Sequence, residues 1–309
     1  MLRIIVLGTA AGGGLPQWNC GCDNCNRARR DPNLQMTQCS IAVSADGDHW
    51  YLINASPDIR QQIVATPQLH PRPDRLRDSP IAGVILTNGE IDAIAGLLTL
   101  REGSPFAIHA HQAVLDTLKA NSIFNVLATE RVKRHAMTSG QAFNPMLPDG
   151  SASGLEITPF KVPGKEALYL ESDASSLAAA RDDGGTLGLK IRHVAEDKSF
   201  FFIPACADVT PELKSMLAGA PLVFFDGTLW RDDELIATGL SQKTGQRMGH
   251  VSMSGTNGAM AALGELGIGQ KIFLHINNSN PALLDQSSER RSAEQAGWQI
   301  PRDGMEFHL

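Results

Sequence analysis

Three cysteines fall within six residues at Cys20-Gly21-Cys22-Asp23-Asn24-Cys25. Thiolates at this spacing can wrap one soft divalent ion, and zinc takes four ligands in a tetrahedron. The loop therefore reads as a structural zinc site whose fourth ligand comes from elsewhere. Cys39 and Cys206 stand alone and read as small buried apolar side chains. A second group of residues could do acid–base or metal chemistry. In Thr87-Asn88-Gly89-Glu90-Ile91-Asp92-Ala93, polar residues recur at every second position between an apolar strand and a helical pattern. Such a turn opens outside the strand's carboxyl end, where α/β sheets place their sites. Asp92 could equally be a helix N-cap. His275, in Phe273-Leu274-His275-Ile276-Asn277-Asn278, ends another apolar strand, so a carboxylate and an imidazole come from two strand ends. His250, in Met248-Gly249-His250, precedes a helical pattern. That setting suits a neutral imidazole donor or acceptor, or a surface cap. Asp226 follows a strand in Asp226-Gly227-Thr228, as a site residue or a turn. His109 and His111 form an H-x-H that ends one strand and begins a helix.

The elements that must position these residues can be read from the apolar pattern. Short apolar runs predict strands at Leu2–Leu7, Trp50–Ile53, Ile81–Leu86, Leu155–Val162, Leu187–Ile191, Phe200–Ile203, Leu222–Phe225 and Lys271–Ile276. Helical patterns occupy Asp92–Arg101, His111–Ala120, Pro211–Leu217, Ser254–Leu266 and Ser287–Ala296. Ser56-Pro57-Asp58 predicts a helix start, with Ser56 as cap and Asp58 facing the dipole. Several strands precede the helices in each half, without the strict alternation of a doubly wound fold. The prediction is a four-layer α/β sandwich forming one domain over residues 1–309. Gly8-Thr9-Ala10-Ala11-Gly12-Gly13-Gly14 follows the first strand, but its spacing is wrong for G-x-G-x-x-G and no helix follows. It reads as a turn that lets the backbone approach something closely.

Composition excludes several function classes. The chain has 309 residues, 42% hydrophobic and 19% charged, with 27 Lys+Arg against 33 Asp+Glu. This is globular composition with room for a large core. A net charge of −6 and no basic stripe argue against nucleic-acid binding. No apolar run approaches the roughly 18 residues of a membrane span. The first eight residues are too short an apolar stretch for a signal peptide. A soluble, cytoplasmic protein with no membrane or nucleic-acid partner is expected.

Longer blocks carry a resemblance. Gly12-Gly13-Gly14-Leu15-Pro16-Gln17-Trp18-Asn19-Cys20, Asn54-Ala55-Ser56-Pro57-Asp58-Ile59-Arg60, Leu97–Gly103, Asp226-Gly227-Thr228, Thr244–His250, His275–Pro281 and Asp303-Gly304-Met305 resemble the metallo-β-lactamase superfamily. Within it they resemble the PqqB family of pyrroloquinoline quinone (PQQ) biosynthesis, over nearly the whole chain. The resemblance implies a metallo-β-lactamase-like four-layer αββα sandwich. The superfamily's H-x-H-x-D-H falls on Asn88, Glu90, Asp92 and Ala93, its later first-site histidine near Gly164, and its bridging Asp at Cys206. A first-site zinc thus has no cage, and two-metal hydrolysis is disabled. The second site falls on Asp92, Ala93 and His275. With a histidine at position 93, as the family usually has, two imidazoles and a carboxylate would form the non-haem Fe(II) arrangement. Here Ala93 cannot ligate, and Glu90 is the nearest substitute.

What the resemblance implies is iron- and O2-dependent hydroxylation of the tyrosine ring of a Glu–Tyr-derived precursor. Asp92 and His275 would hold Fe(II). His250 and Glu90 would orient ligands or move protons. Asp58, Arg60 and Arg247 would meet the substrate, an arginine clamping a carboxylate. Cys20, Cys22 and Cys25 carry over as structural zinc ligands. Related phosphodiesterases take their fourth ligand at the position of Asn278, with Cys39 as the chemical alternative. The implied partners are the small peptide-derived substrate and other PQQ-pathway proteins, and a homodimer is compatible. Two other functions stay open: a metal-dependent phosphodiesterase-like hydrolase, and a carrier for PQQ or its precursor.

Overall fold

The computed structural model describes residues 1–165, 167–170 and 185–309. Thirteen strands appear among them: β1 (Arg3–Gly8), β2 (Ser40–Ser44), β3 (Trp50–Ile53), β4 (Ile81–Ile85), β5 (Phe106–His111), β6 (Val132–Met137), β7 (Leu155–Lys161), β8 (Leu187–His193), β9 (Lys198–Ile203), β10 (Leu222–Asp226), β11 (Gln270–Leu274), β12 (Trp298–Gln299) and β13 (Glu306–His308). The α-helices are α1 (Asp23–Arg30), α2 (Ile59–Ala65), α3 (Ile91–Ile94), α4 (Gln112–Ala120), α5 (Pro211–Leu217), α6 (Glu234–Ala237), α7 (Ala259–Leu263) and α8 (Ser288–Gln295). The strands form a seven-stranded sheet, β13-β1-β2-β3-β4-β5-β6, and a six-stranded sheet, β12-β11-β10-β9-β8-β7. From β3 to β6 the first sheet is parallel. The second is parallel from β9 through β12.

Strand periodicity explains the layering. Side chains alternate across a strand, so a run apolar at every position is buried on both faces. Ile4 and Val6 of β1 meet Phe200, Phe202, Phe224 and Leu274 between the two sheets. Their neighbours Ile5 and Leu7 face outward onto Ile59, Ile94, Leu97, Val114 and Leu118. In the second sheet Phe201, Ile203, Val223, Phe225 and Phe273 face outward onto Leu213, Leu217, Leu263 and Ala293. Three hydrophobic layers therefore separate four structural ones, as the α/β sandwich expected from the sequence requires.

Some expected elements differ. Ser56 is not a side-chain cap: its hydroxyl donates to Gln62 Oε1 at 3.0 Å, and α2 begins at Ile59 with Asp58 in the cap position. The helix expected over Asp92–Arg101 is α-helical only through Ile94 and continues as a 3-10 helix over Ala95–Arg101. The cause is Gly96, whose N–H donates to Ala55 O at 2.8 Å; a Cβ there would lie 2.1 Å from Ser56 O. The helix expected over Ser254–Leu266 shrinks to α7, after Gly258, where a Cβ would sit 2.1 Å from Ser254 O. His111 ends β5, and its Nδ1 accepts from Ala113 N as α4 begins.

Candidate active site and metal centre

The strand ends β4, β10 and β11 open on one cavity of about 540 Å³. Asn88, Glu90, Asp92, His250 and His275 all line it, with Thr228, Gln38 and Asn277. Gly164 does too, so the positions to which the resemblance assigns the first-site histidines line the cavity without supplying one. Asp92 is not the cap of α3, which is Glu90. Its Oδ2 instead lies 3.0 Å from His275 Nε2. The Gly-rich turn makes its close approach here: a Cβ on Gly12 would lie 3.3 Å from Asp92 Oδ2.

His275 is held from every side. Its φ is +54°, uncommon for a non-glycine residue. The neighbouring Ile276 N–H donates to Thr9 O at 3.0 Å. Thr228 Oγ1 lies 2.9 Å from both His275 Nδ1 and His275 O. The same hydroxyl is 2.7 Å from Asp226 Oδ1 and 3.0 Å from His250 Nδ1. Asp226 is fully buried. It accepts from Cys206 N at 2.9 Å and Thr228 N at 3.0 Å, and its Oδ2 lies 2.7 Å from His250 Nδ1. The two imidazoles stack at 5.2 Å with 20° between their planes. The Asp226 carboxylate assigns a proton to His250 Nδ1, and with the Thr228 hydroxyl proton given to Asp226 Oδ1 the Thr228 oxygen is left to accept from His275 Nδ1. His250 then offers a bare Nε2 as proton acceptor.

The fit for a cation follows from the Asp92–His275 contact. With its Nδ1 proton on Thr228, the Nε2 of His275 faces a carboxylate oxygen lone pair to lone pair, so a proton or a cation must lie between. Burial pushes the His275 pKa down, but the bond and charge of Asp92, with Asp226 and Glu90, raise it above its ordinary value. Burial likewise pushes Asp92 up, and His275 outweighs it, leaving the carboxyl below its usual range. A metal ion would replace that proton, with Asp92 Oδ2 and His275 Nε2 as protein donors. Ala93, 3% exposed, belongs to the core layer beneath and does not line the cavity. Asp226, His250 and His275 form a second cluster close enough to hold an ion. Thr228 Oγ1 already sits among those three, so we read it as the hydrogen-bonded support of the first.

The sulfurs of Cys20, Cys22 and Cys25 converge within one ion's reach. Asn278 Nδ2 lies 3.2 Å from the sulfurs of Cys20 and Cys25 and 3.7 Å from that of Cys22, so its side chain faces the fourth position. Three thiolates and one amide oxygen, after an amide flip, fit zinc. Burial raises the Cys25 pKa to about 11. At Cys20 burial acts the same way, but hydrogen bonds from Cys22, Cys25 and Asn278 lower the net value. Cys39 lies outside this cluster, in the layer between the sheets.

The expected substrate contacts are less well gathered. Asp58 lies behind the wall, where its Oδ2 accepts from Gln38 N at 2.9 Å and Gln38 Nε2 at 3.0 Å. Gln38 Oε1 in turn accepts from Gly13 N at 3.0 Å. Asp58 therefore acts through Gln38, not on a ligand. Arg60 and Arg247 are exposed and do not line the cavity. Glu90 lines it but pairs with Lys165 Nζ at 3.1 Å. The sequence had not singled out Thr228, Gln38, Lys165, Tyr169 or Lys243 individually. Thr228 was signalled only by its place beside Asp226.

Two sheets face to face, with a metal-fitting cavity at their strand ends, define the beta-lactamase superfamily, whose domain model matches residues 49–276. The chain is 63% identical over 309 residues to coenzyme PQQ synthesis protein B of Rhodopseudomonas palustris strain BisB5, covering 100% of both chains. It is 60% identical over 310 residues to that of Bradyrhizobium diazoefficiens, again covering 100% of both. The crystal structure of Zn(2+)-bound PqqB from Methylobacterium extorquens superposes with a TM-score of 0.94 at 46% identity, covering 99% of this chain and 100% of that one. A diphosphatase of the PhnP family shares the fold, with a TM-score of 0.68 at 18% identity. The chain belongs to the coenzyme PQQ synthesis protein B family.

Proposed function

We propose that the chain acts in PQQ synthesis as a metal-dependent oxidoreductase that hydroxylates the tyrosine ring of a Glu–Tyr-derived precursor in the cytoplasm. The observation that carries this is the Asp92–His275 donor pair, 3.0 Å apart in a cavity it shares with an oriented imidazole, His250. Asp92 and His275 would hold iron. Bound there, iron supplies the O2 chemistry that side chains lack. Asp226 and Thr228 fix the ring orientation of both histidines, a support that sets ligand basicity. His250 would accept the phenol proton at Nε2, and the Asp226 carboxylate on its Nδ1 would stabilise the imidazolium that forms. A cavity of about 540 Å³ suits a dipeptide-sized ligand. Cys20, Cys22, Cys25 and Asn278 would hold structural zinc beside it.

Mass spectrometry of Glu–Tyr incubated with protein, Fe(II), reductant and O2 tests this, with Ala93→His alongside. Oxygen added by the substituted chain, and weakly or not at all by the chain itself, supports the hydroxylase and the role of position 93. No oxygen from either, with iron shown to be bound, removes that substrate. Ala93 favours a second function, a carrier that binds PQQ or its precursor without turnover, since a carrier tolerates loss of a metal ligand. Phosphodiester hydrolysis is disfavoured by Asn88, Glu90 and Gly164, which line the cavity but offer no first-site imidazole.

A further inference from the structure

The two donors of the metal pair come from different sheets. Asp92 follows β4 of the seven-stranded sheet, and His275 follows β11 of the six-stranded one. Their 3.0 Å contact therefore depends on how the sheets are held together at this end. Three short segments lie side by side there: the residues after β1, those before β2 and those after β11. Ala10 bridges to Gln38 on one side and to Ile276 on the other, both in parallel. Ala10 N–H donates to Thr37 O at 2.9 Å, and Cys39 N–H to Ala10 O at 2.7 Å. On the other side Ile276 N–H donates to Thr9 O at 3.0 Å, and Ala11 N–H to Ile276 O at 2.8 Å. The segment after β1 thus ties one sheet to the other, directly beside His275.

That tie is held in turn by one carboxylate. Asp303 lies on the connection from β12 of the second sheet to β13 of the first. Its Oδ1 accepts from Thr9 N at 3.1 Å. Its Oδ2 accepts from Thr37 N at 2.6 Å and from Thr37 Oγ1 at 2.7 Å. The next residue, Gly304, is fixed to β1, where its N–H donates to Val6 O at 2.7 Å. A carboxylate that takes donors from two chain segments fixes their register, because its loss leaves N–H groups converging with no acceptor. Gly8 lets the segments come this close: a Cβ there would lie 2.1 Å from Gln38 O. Asp226, Thr228 and His250, by contrast, all belong to β10 or to the connection from β10 to β11, within one sheet. They hold one another without the tie. We infer that Asp303 is a positioning residue for the Asp92–His275 pair, setting the separation of two donors carried by different sheets. The inference rests on that pair being the metal site proposed above.

Histidine ring 15N NMR of the full chain before iron is added, followed by Fe(II) titration, tests it in Asp303→Asn and Asp303→Ala. Both variants should move the His275 Nε2 resonance and leave the His250 ring resonances in place, since His250 keeps Asp226 and Thr228. Fe(II) affinity should fall about tenfold in Asp303→Ala and severalfold in Asp303→Asn, which keeps one acceptor oxygen. If Asp303→Ala does not fold, Asp303→Asn and Thr37→Val decide, since each removes less of the contact. An unmoved His275 resonance, an Fe(II) constant equal to that of the parent, or His250 and His275 resonances displaced together would overturn the inference. A parent chain that binds no Fe(II) would remove the metal reading, and the ring resonances would then decide the role of Asp303 by themselves.

Discussion

At Thr228 one hydroxyl meets Asp226, His250 and His275 at once, at 2.7, 3.0 and 2.9 Å. Thr228→Val keeps the shape and removes the oxygen, so both imidazoles lose the group that sets their orientation. Metal affinity at Asp92 and His275 should fall at least about tenfold, read by Fe(II) or Zn(II) titration. Thr228→Ser should retain it, and equal affinities in the two would separate this hydroxyl from the metal. The sequence marks Thr228 only as a member of the Asp226-Gly227-Thr228 block, because a threonine after Asp-Gly is by itself ordinary turn composition. Position 93 is different: the resemblance singles it out at once. Ala93→His should raise Fe(II) affinity about tenfold or more by adding a third protein donor. The same titration checks it, and an unchanged constant would separate position 93 from the site. The residues with distinctive chemistry, Asp92, His250 and His275, come together on one cavity, and the three cysteines converge on one point. Asp58, Arg60 and Arg247 do not line that cavity, and residue type near a strand end does not say which way a side chain points.

The elements that carry these residues were legible where a run is buried on both faces, as in β9, β10 and β11. They were not where other residues interrupt the apolar signal. β2 (Ser40–Ser44) is buried throughout yet begins and ends in serine. β5 contains two histidines, and β6 has an exposed edge-strand pattern. α1 is almost wholly polar, and Asn24, Cys25 and Ala28 are its buried residues. The break in the helix after Ile94 has a tertiary cause that no local pattern holds: Gly96 sits against the backbone of Ala55 and Ser56. Gly96→Ala should cost about 2 kcal/mol or more of stability through overpacking, seen as a lower denaturant midpoint with unchanged slope. Since Gly96 follows Asp92 by four residues, the variant should also lower metal affinity. A neutral Gly96→Ala would show that α3 can shift without cost.

For the molecule as a whole, acid should act through a histidine far from the cavity. His109 is buried between the sheets, stacked at 5.0 Å on both His135 and Phe143, and its Nε2 has no hydrogen-bond partner. Burial, with the nearby His135, lowers its pKa to about 4. The unfolded chain takes up this proton near pH 6.5 and the folded chain only near 4. Stability is therefore full above pH 6.5 and declines as pH falls toward 4, by roughly 3 kcal/mol. His109→Phe should flatten that part of the melting-temperature profile, and a slope identical to that of the parent would assign the acid sensitivity elsewhere. The four-layer arrangement was legible without any of this, since it needs only doubly buried strands and outer helices. How the cysteine loop meets the cavity was not. Asn24 Nδ2 donates to Asn278 O and to Asn280 O, both at 2.9 Å, so the cysteine loop grips the segment that begins with His275. A metal at either end of this short tether restricts the same few backbone torsions. The two ions should therefore be cooperative: zinc among the cysteines sharpens the affinity of Asp92 and His275 for their own ion, and by reciprocity the second ion raises the affinity of the cysteines for the first by the same factor.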